Sequence, residues 1–124
     1  MTSKATVQGF RDLLVWQKAL VLVKQIYLVT QQFPRDEKFG LTSQMRRAAV
    51  SIPSNIAEGQ ARHSTGEFIQ FISNAEGSVA ELETQLEIAG DLMYCTLAQK
   101  ERLLLLAEEV RKMLNGLRRK LQGR

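Results

Sequence analysis

Apolar residues recur along this chain at alternating spacings of three and four, the rhythm of amphipathic helices, and four segments carry it. The first follows Asp12, a residue suited to capping a helix, and runs to Phe33 just before Pro34. It holds two apolar series: Val15, Ala19, Leu22, Ile26, Val29 and Phe33, and beside it Leu13, Trp16, Leu20, Val23 and Tyr27. Two adjacent stripes cover more than the roughly 100° arc that a helix buries in its own domain, which predicts a face meeting another subunit. After the loop FPRDEKFG, a second helix is predicted from Leu41 to Arg62, with Leu41, Met45, Ala48, Ala49, Ile52 and Ile56 facing inward. Pro53 removes one of its backbone hydrogen bonds and predicts a kink that presents small polar residues openly.

Ser64-Thr65-Gly66-Glu67 has the form of a capping box and opens a third helix. Its seam is Phe68, Ile72, Ala75, Val79, Leu82, Leu86, Ala89 and Met93, weakened locally by Gly77 and Gly90. Thr96-Leu97-Ala98-Gln99 is a second box, and Leu103, Ala107, Val110, Leu114, Leu117 and Leu121 continue the rhythm in a fourth helix, widened by Leu104, Leu105, Leu106 and Met113. No segment alternates as a half-buried strand does. The expectation is an all-α, antiparallel up-down-up-down four-helix bundle, one domain over 1–124 with frayed ends at about 1–10 and 122–124.

Composition narrows the class. With 44% hydrophobic and 24% charged residues the chain reads as globular. Cys95 is the single cysteine, which excludes an intrachain disulfide and reads as a small hydrophobe in a reducing setting. The N-terminal residues lack a secretory pattern, so the expected location is the cytoplasm. The apolar run at 19–29 is interrupted by Lys24 and Gln25 and falls short of a membrane span, so no membrane is expected.

Net charge is +4, but it is segregated: residues 1–63 hold nine Lys/Arg against four Asp/Glu, 64–110 hold two against nine, and 111–124 hold six against none. Blocks of opposite sign point either to a polyanionic partner or to surfaces that meet within an oligomer. For nucleic acid, RNA or DNA, the candidate phosphate contacts are Lys18, Arg46, Arg47, Arg62, Arg111, Lys112, Arg118, Arg119 and Lys120, acting by displacement of counterions. The plainer reading is that they are solvated or pair with the acidic third helix. No helix-turn-helix or zinc-finger pattern is present to read bases.

Ser51, Ser54, Asn55 and Glu58, beside Pro53, form either a patch that docks a partner or a hydrogen-bond network serving carbonyls that the proline frees. Glu58 and Arg62, four apart, suit an intrahelical ion pair. His63 has no second ligand at metal spacing, and neither a phosphate-cradling loop nor a nucleophile elbow occurs. No enzyme, metal or cofactor is expected. Trp16, Phe68 and Phe71 read as core rather than as platforms for bases.

Three stretches, GFRDLLVWQKA at 9–19, FGLTSQMRRAAVSIPSNIAEGQAR at 39–62 and EFIQFISNAEGSVAELETQL at 67–86, resemble proteins encoded in intervening sequences of bacterial 23S ribosomal RNA genes. The resemblance covers about 9–95. It implies a four-helix bundle, a ring-like homopentamer and no enzymatic activity, with distant kinship to accessory proteins of diversity-generating retroelements, which bind nucleic acid and a reverse transcriptase, so that a nucleic-acid-handling protein is a further expected partner. The positions matching the family's motifs are Trp16, Gln17, Lys18, Arg46, Arg47, Pro53, Asn55, Glu58, Gly59 and Arg62.

Overall fold

The structure, a computed structural model, describes residues 9–123. Part of the expected fraying, at 1–8 and 124, lies outside them. Four helices follow in order: α1 Leu14–Thr30, α2 Leu41–Gln60, α3 Thr65–Asp91 and α4 Leu97–Leu121, with short 3-10 turns at Phe10–Asp12 and Arg35–Glu37. Each helix packs on two neighbours (α1 on α2, α2 on α3, α3 on α4, α4 on α1), and the backbones of the diagonal pairs stay farther apart.

Neighbours run in opposite directions. Lys18, early in α1, meets Glu109 midway along α4, whereas Gln32, just past α1, meets Gln99 at the start of α4. Along α3 and α4 the pairs are Glu76 with Arg118 and Glu87 with Lys100. Ser51 of α2 meets Ser78 of α3, and Gly59 lies under Phe68 and Phe71. The fold is an antiparallel up-down-up-down four-helix bundle.

The core is most of the seams read from the sequence, with Leu41, Phe68, Leu117 and Leu121 only partly buried against it. Val15, Ala19, Leu22, Ile26, Val29 and Phe33 are buried, as are Met45, Ala48, Ala49, Ile52, Ile56, Ile72, Ala75, Val79, Leu82, Leu86, Ala89, Leu103, Ala107, Val110 and Leu114. Cys95 is buried, and burial pushes its thiol above the usual range, in keeping with a packing role. Trp16 and Phe68 pack on the core from its edge, and Trp16 also stacks against Phe10 at 5.2 Å. Phe71 is half-buried and carries the Arg62 guanidinium over its ring at 4.8 Å.

Several details differ from the sequence reading. Leu13, in extended backbone, precedes α1 in place of Asp12, with no side-chain cap. α1 ends at Thr30 and α2 at Gln60, two or three residues short of expectation. Ser64 accepts from the Glu67 amide at 3.1 Å, but its hydroxyl meets the Glu67 carboxylate, so the reciprocal bond to its own amide is missing. The Thr96–Gln99 box is complete.

The largest difference is Met93. It is 86% exposed and stands at φ 60°, outside α3 altogether. Its amide donates to the Gly90 carbonyl and the Tyr94 amide to that of Ala89, the two bonds of a Schellman motif, with methionine where glycine is usual. Among the exposed apolar residues, Leu14, Val21 and Leu28 form a third stripe on α1 at intervals of seven, apart from both predicted series. Leu105 of α4 lies beside Val21.

Candidate nucleic-acid interface

The nine candidate cations separate by what they touch. Lys18 pairs with Glu109 at 3.2 Å, Arg62 with Glu58 at 3.0 Å, and Arg118 with Glu76 at 2.9 Å. Arg111 and Lys112 share Glu108, at 3.5 and 3.6 Å. These five cations are partly neutralised by carboxylates within the bundle, but only Arg118 pairs with the acidic third helix; the partners of the other four lie on α2 and α4. Arg119 and Lys120 are exposed near the end of α4.

Arg46 and Arg47 stand apart from all of these. Thr30, buried in the last turn of α1, donates its hydroxyl to the Ile26 carbonyl at 2.7 Å and accepts from Arg46 Nε at 2.9 Å. Arg46 Nη2 also donates to the Tyr27 carbonyl at 3.4 Å, and the guanidinium lies 4.6 Å over the Tyr27 ring. α1 thereby orients Arg46 through neutral groups, so its full charge remains. A guanidinium has five N–H donors, and these two bonds leave three of them for a ligand. Arg47 is exposed beside it.

These side chains line a groove of about 450 Å³ between the end of α1 and the first half of α2, completed by Lys38, Phe39, Thr42, Ser43, Tyr27 and Val50. Among the described residues no carboxylate lines it. Phe39 is 90% exposed, and the Lys38 ammonium is 5.5 Å from its ring centre. The loop that carries both is braced: Glu37 accepts from the Leu41 amide at 2.9 Å and from the Tyr94 hydroxyl at 2.8 Å, while the Gly40 amide donates to the Glu37 carbonyl. The Leu41 bond and then the Tyr94 bond hold the Glu37 carboxyl below its usual range, and the same contact raises the Tyr94 hydroxyl. Sequence reasoning finds Arg46 and Arg47 but misses Lys38, Phe39 and Tyr27 as groove residues. A loop residue has no periodicity to mark it, and the only available signal is a Lys-Phe pair before the α2 glycine that neither packing nor turn chemistry requires.

The second predicted patch is more inward than expected. α2 is unbroken through Pro53, whose ring is buried. Ser51 donates to the Ala48 carbonyl at 2.7 Å and lies 2.6 Å from the Ser78 hydroxyl; Ser54 donates to the Val50 carbonyl and Asn55 to that of Ser51. These bonds flank the Ala49 carbonyl, which Pro53 deprives of its partner. Ser54 and Glu58 alone of the four are exposed. Among the described residues no cluster of His, Cys, Asp or Glu suits a metal ion, and no helix is long and apolar enough to cross a membrane.

An all-α bundle whose distinctive surface is a cationic groove is thus the class to which this chain belongs. More particularly, it is a member of the 23S rRNA-intervening sequence protein family, which it matches over residues 11–116. Its fold is similar to the crystal structure of a protein of unknown function of the S23 ribosomal protein family from Bacteroides thetaiotaomicron, with a TM-score of 0.79 and 26% identity over 85% of this chain and 95% of that one. No match is found among curated proteins.

Proposed function

We propose that this chain is a non-enzymatic, homo-oligomeric bundle that binds nucleic acid by phosphate contacts from Arg46, Arg47 and Lys38. One observation carries the reading: these cations converge on a groove without a carboxylate in its lining, whereas five of the other candidates face acidic partners. Affinity of this origin comes from counterion release and is indifferent to sequence. Assembly multiplies it, because each copy brings its own groove. The exposed Leu14, Val21 and Leu28 stripe and the neighbouring Leu105 support self-association on the α1/α4 side, away from the groove. A ring of five fits the family resemblance, and so does a role linked to 23S ribosomal RNA genes.

Electrophoretic titration with RNA and DNA across a salt series tests the reading. Binding is expected to weaken steeply with salt. The Arg46→Ala/Arg47→Ala double variant is expected to flatten the log–log slope by about 1.4–1.8 per groove engaged, at roughly 0.7–0.9 for each phosphate no longer neutralised. Absence of binding at low salt, or binding indifferent to salt, overturns it.

The rival reading gives the α2 patch an accessory role, docking a protein partner. It draws less support, since Ser51 and Asn55 are bonded to their own helix. Retention of a partner after nuclease treatment, and its release on Glu58→Ala, is the result that would favour it.

A further inference from the structure

Resting on the nucleic-acid reading, we infer that the groove takes single-stranded nucleic acid, with an unpaired base stacked on Phe39 and the adjoining phosphates held by Lys38, Arg46 and Arg47.

The first observation is the ring itself. A phenylalanine that is 90% exposed contributes nothing to the core, yet it stands on a turn fixed at both ends by Glu37. Its presentation is therefore built in. An aromatic face held outward next to cations is the pairing that single-strand binders use, because every base has a π-face and every nucleotide a phosphate. A duplex keeps its bases stacked on one another and cannot offer them to such a ring.

The second observation is the division of labour among the aromatic rings. Arg46 covers Tyr27, which orients the guanidinium and removes Tyr27 as a platform. Phe39 is approached by the Lys38 ammonium, on a flexible stem that can move to a phosphate. The groove of about 450 Å³ falls in the range of small-ligand sites. It suits a short stretch of strand rather than the width of a double helix.

The test compares a labelled single strand of about 10 nucleotides, the same backbone without bases, and the matching duplex, by fluorescence anisotropy at low salt. The base-bearing strand is expected to bind about 5- to 150-fold more tightly than the abasic one. Phe39→Ala is expected to remove that advantage while leaving the salt slope intact, and Phe39→Trp to keep it. Equal binding of the abasic strand or of the duplex overturns the stacking inference and leaves the phosphate reading standing. Failure of every strand to bind overturns both. Dissociation of the assembly in Phe39→Ala, seen by ultracentrifugation, reassigns the ring to a contact between copies and also overturns the inference.

Discussion

Arg118 donates from Nε to Glu76 Oε1 at 2.9 Å, tying the last turns of α4 to α3 with both side chains about three-quarters shielded from water (25% and 22% exposed). A cation so placed is a clamp between helices. Glu76→Gln is expected to lower stability by about 1–2 kcal/mol, between the values for exposed and buried pairs. Lys112→Ala, whose side chain is 71% exposed, is expected to change it by less than about 0.5 kcal/mol. Urea unfolding of the two variants makes the comparison, and equal losses would remove the clamp.

Glycines at two positions are expected to respond in opposite ways. A Cβ on Gly59 would lie 2.6 Å from Phe71 Cβ and 3.0 Å from Phe68 Cδ1, so Gly59→Ala forces α2 and α3 apart and is expected to cost about 1–3 kcal/mol. A Cβ on Gly77 meets nothing within 4 Å, and Gly77→Ala is expected to stabilise the protein by about 0.5–1 kcal/mol through helix propensity. Thermal melts with the same sign for both would contradict this account.

The seams are legible in the sequence because burial imposes periodicity, and the Thr96–Gln99 box because a cap is local. Met93 misleads because a spacing of four from Ala89 continues the seam, while the left-handed turn that ends α3 is normally announced by glycine. Cross-helix pairs such as Lys18–Glu109 depend on how helices align after folding, which no single segment records. Phe39 escapes notice for a related reason: the groove it lines is assembled from residues of two different helices.

The Glu37–Tyr94 contact has a defined pH window. Glu37 has its carboxyl lowered below the ordinary 4.5 by the Leu41 amide and the Tyr94 hydroxyl, so the contact stabilises above that value and the benefit disappears as pH falls through the folded-state pKa. Tyr94 is raised above 10.0 by Glu37, so its share is present below that value and disappears as pH climbs through the folded-state pKa. Protection of the Leu41 amide from hydrogen exchange, corrected for intrinsic rate, is expected to hold between these limits and to fall in acid. Tyr94→Phe is expected to return the Glu37 carboxyl toward its ordinary range in an NMR titration. An unmoved titration would show that the hydroxyl has no part in it.

Self-association through the α1/α4 side predicts that Val21→Lys or Leu105→Lys yields single, folded copies in sedimentation velocity. Both positions are exposed in the lone chain, so its own stability is expected to change by less than about 0.5 kcal/mol. Unchanged sedimentation would mean that copies meet elsewhere or not at all.

Pro53 leaves α2 one rung short at its middle, and the buried ring means that the gap sits where solvent cannot fill it. Severed from its neighbours, that segment would fray from the centre outward rather than from its tips. Its order is lent by α3, through the paired hydroxyls of Ser51 and Ser78 and the close seat of Gly59. The cationic groove, half of it carried on α2, is consequently only as firm as the α2/α3 pair that backs it.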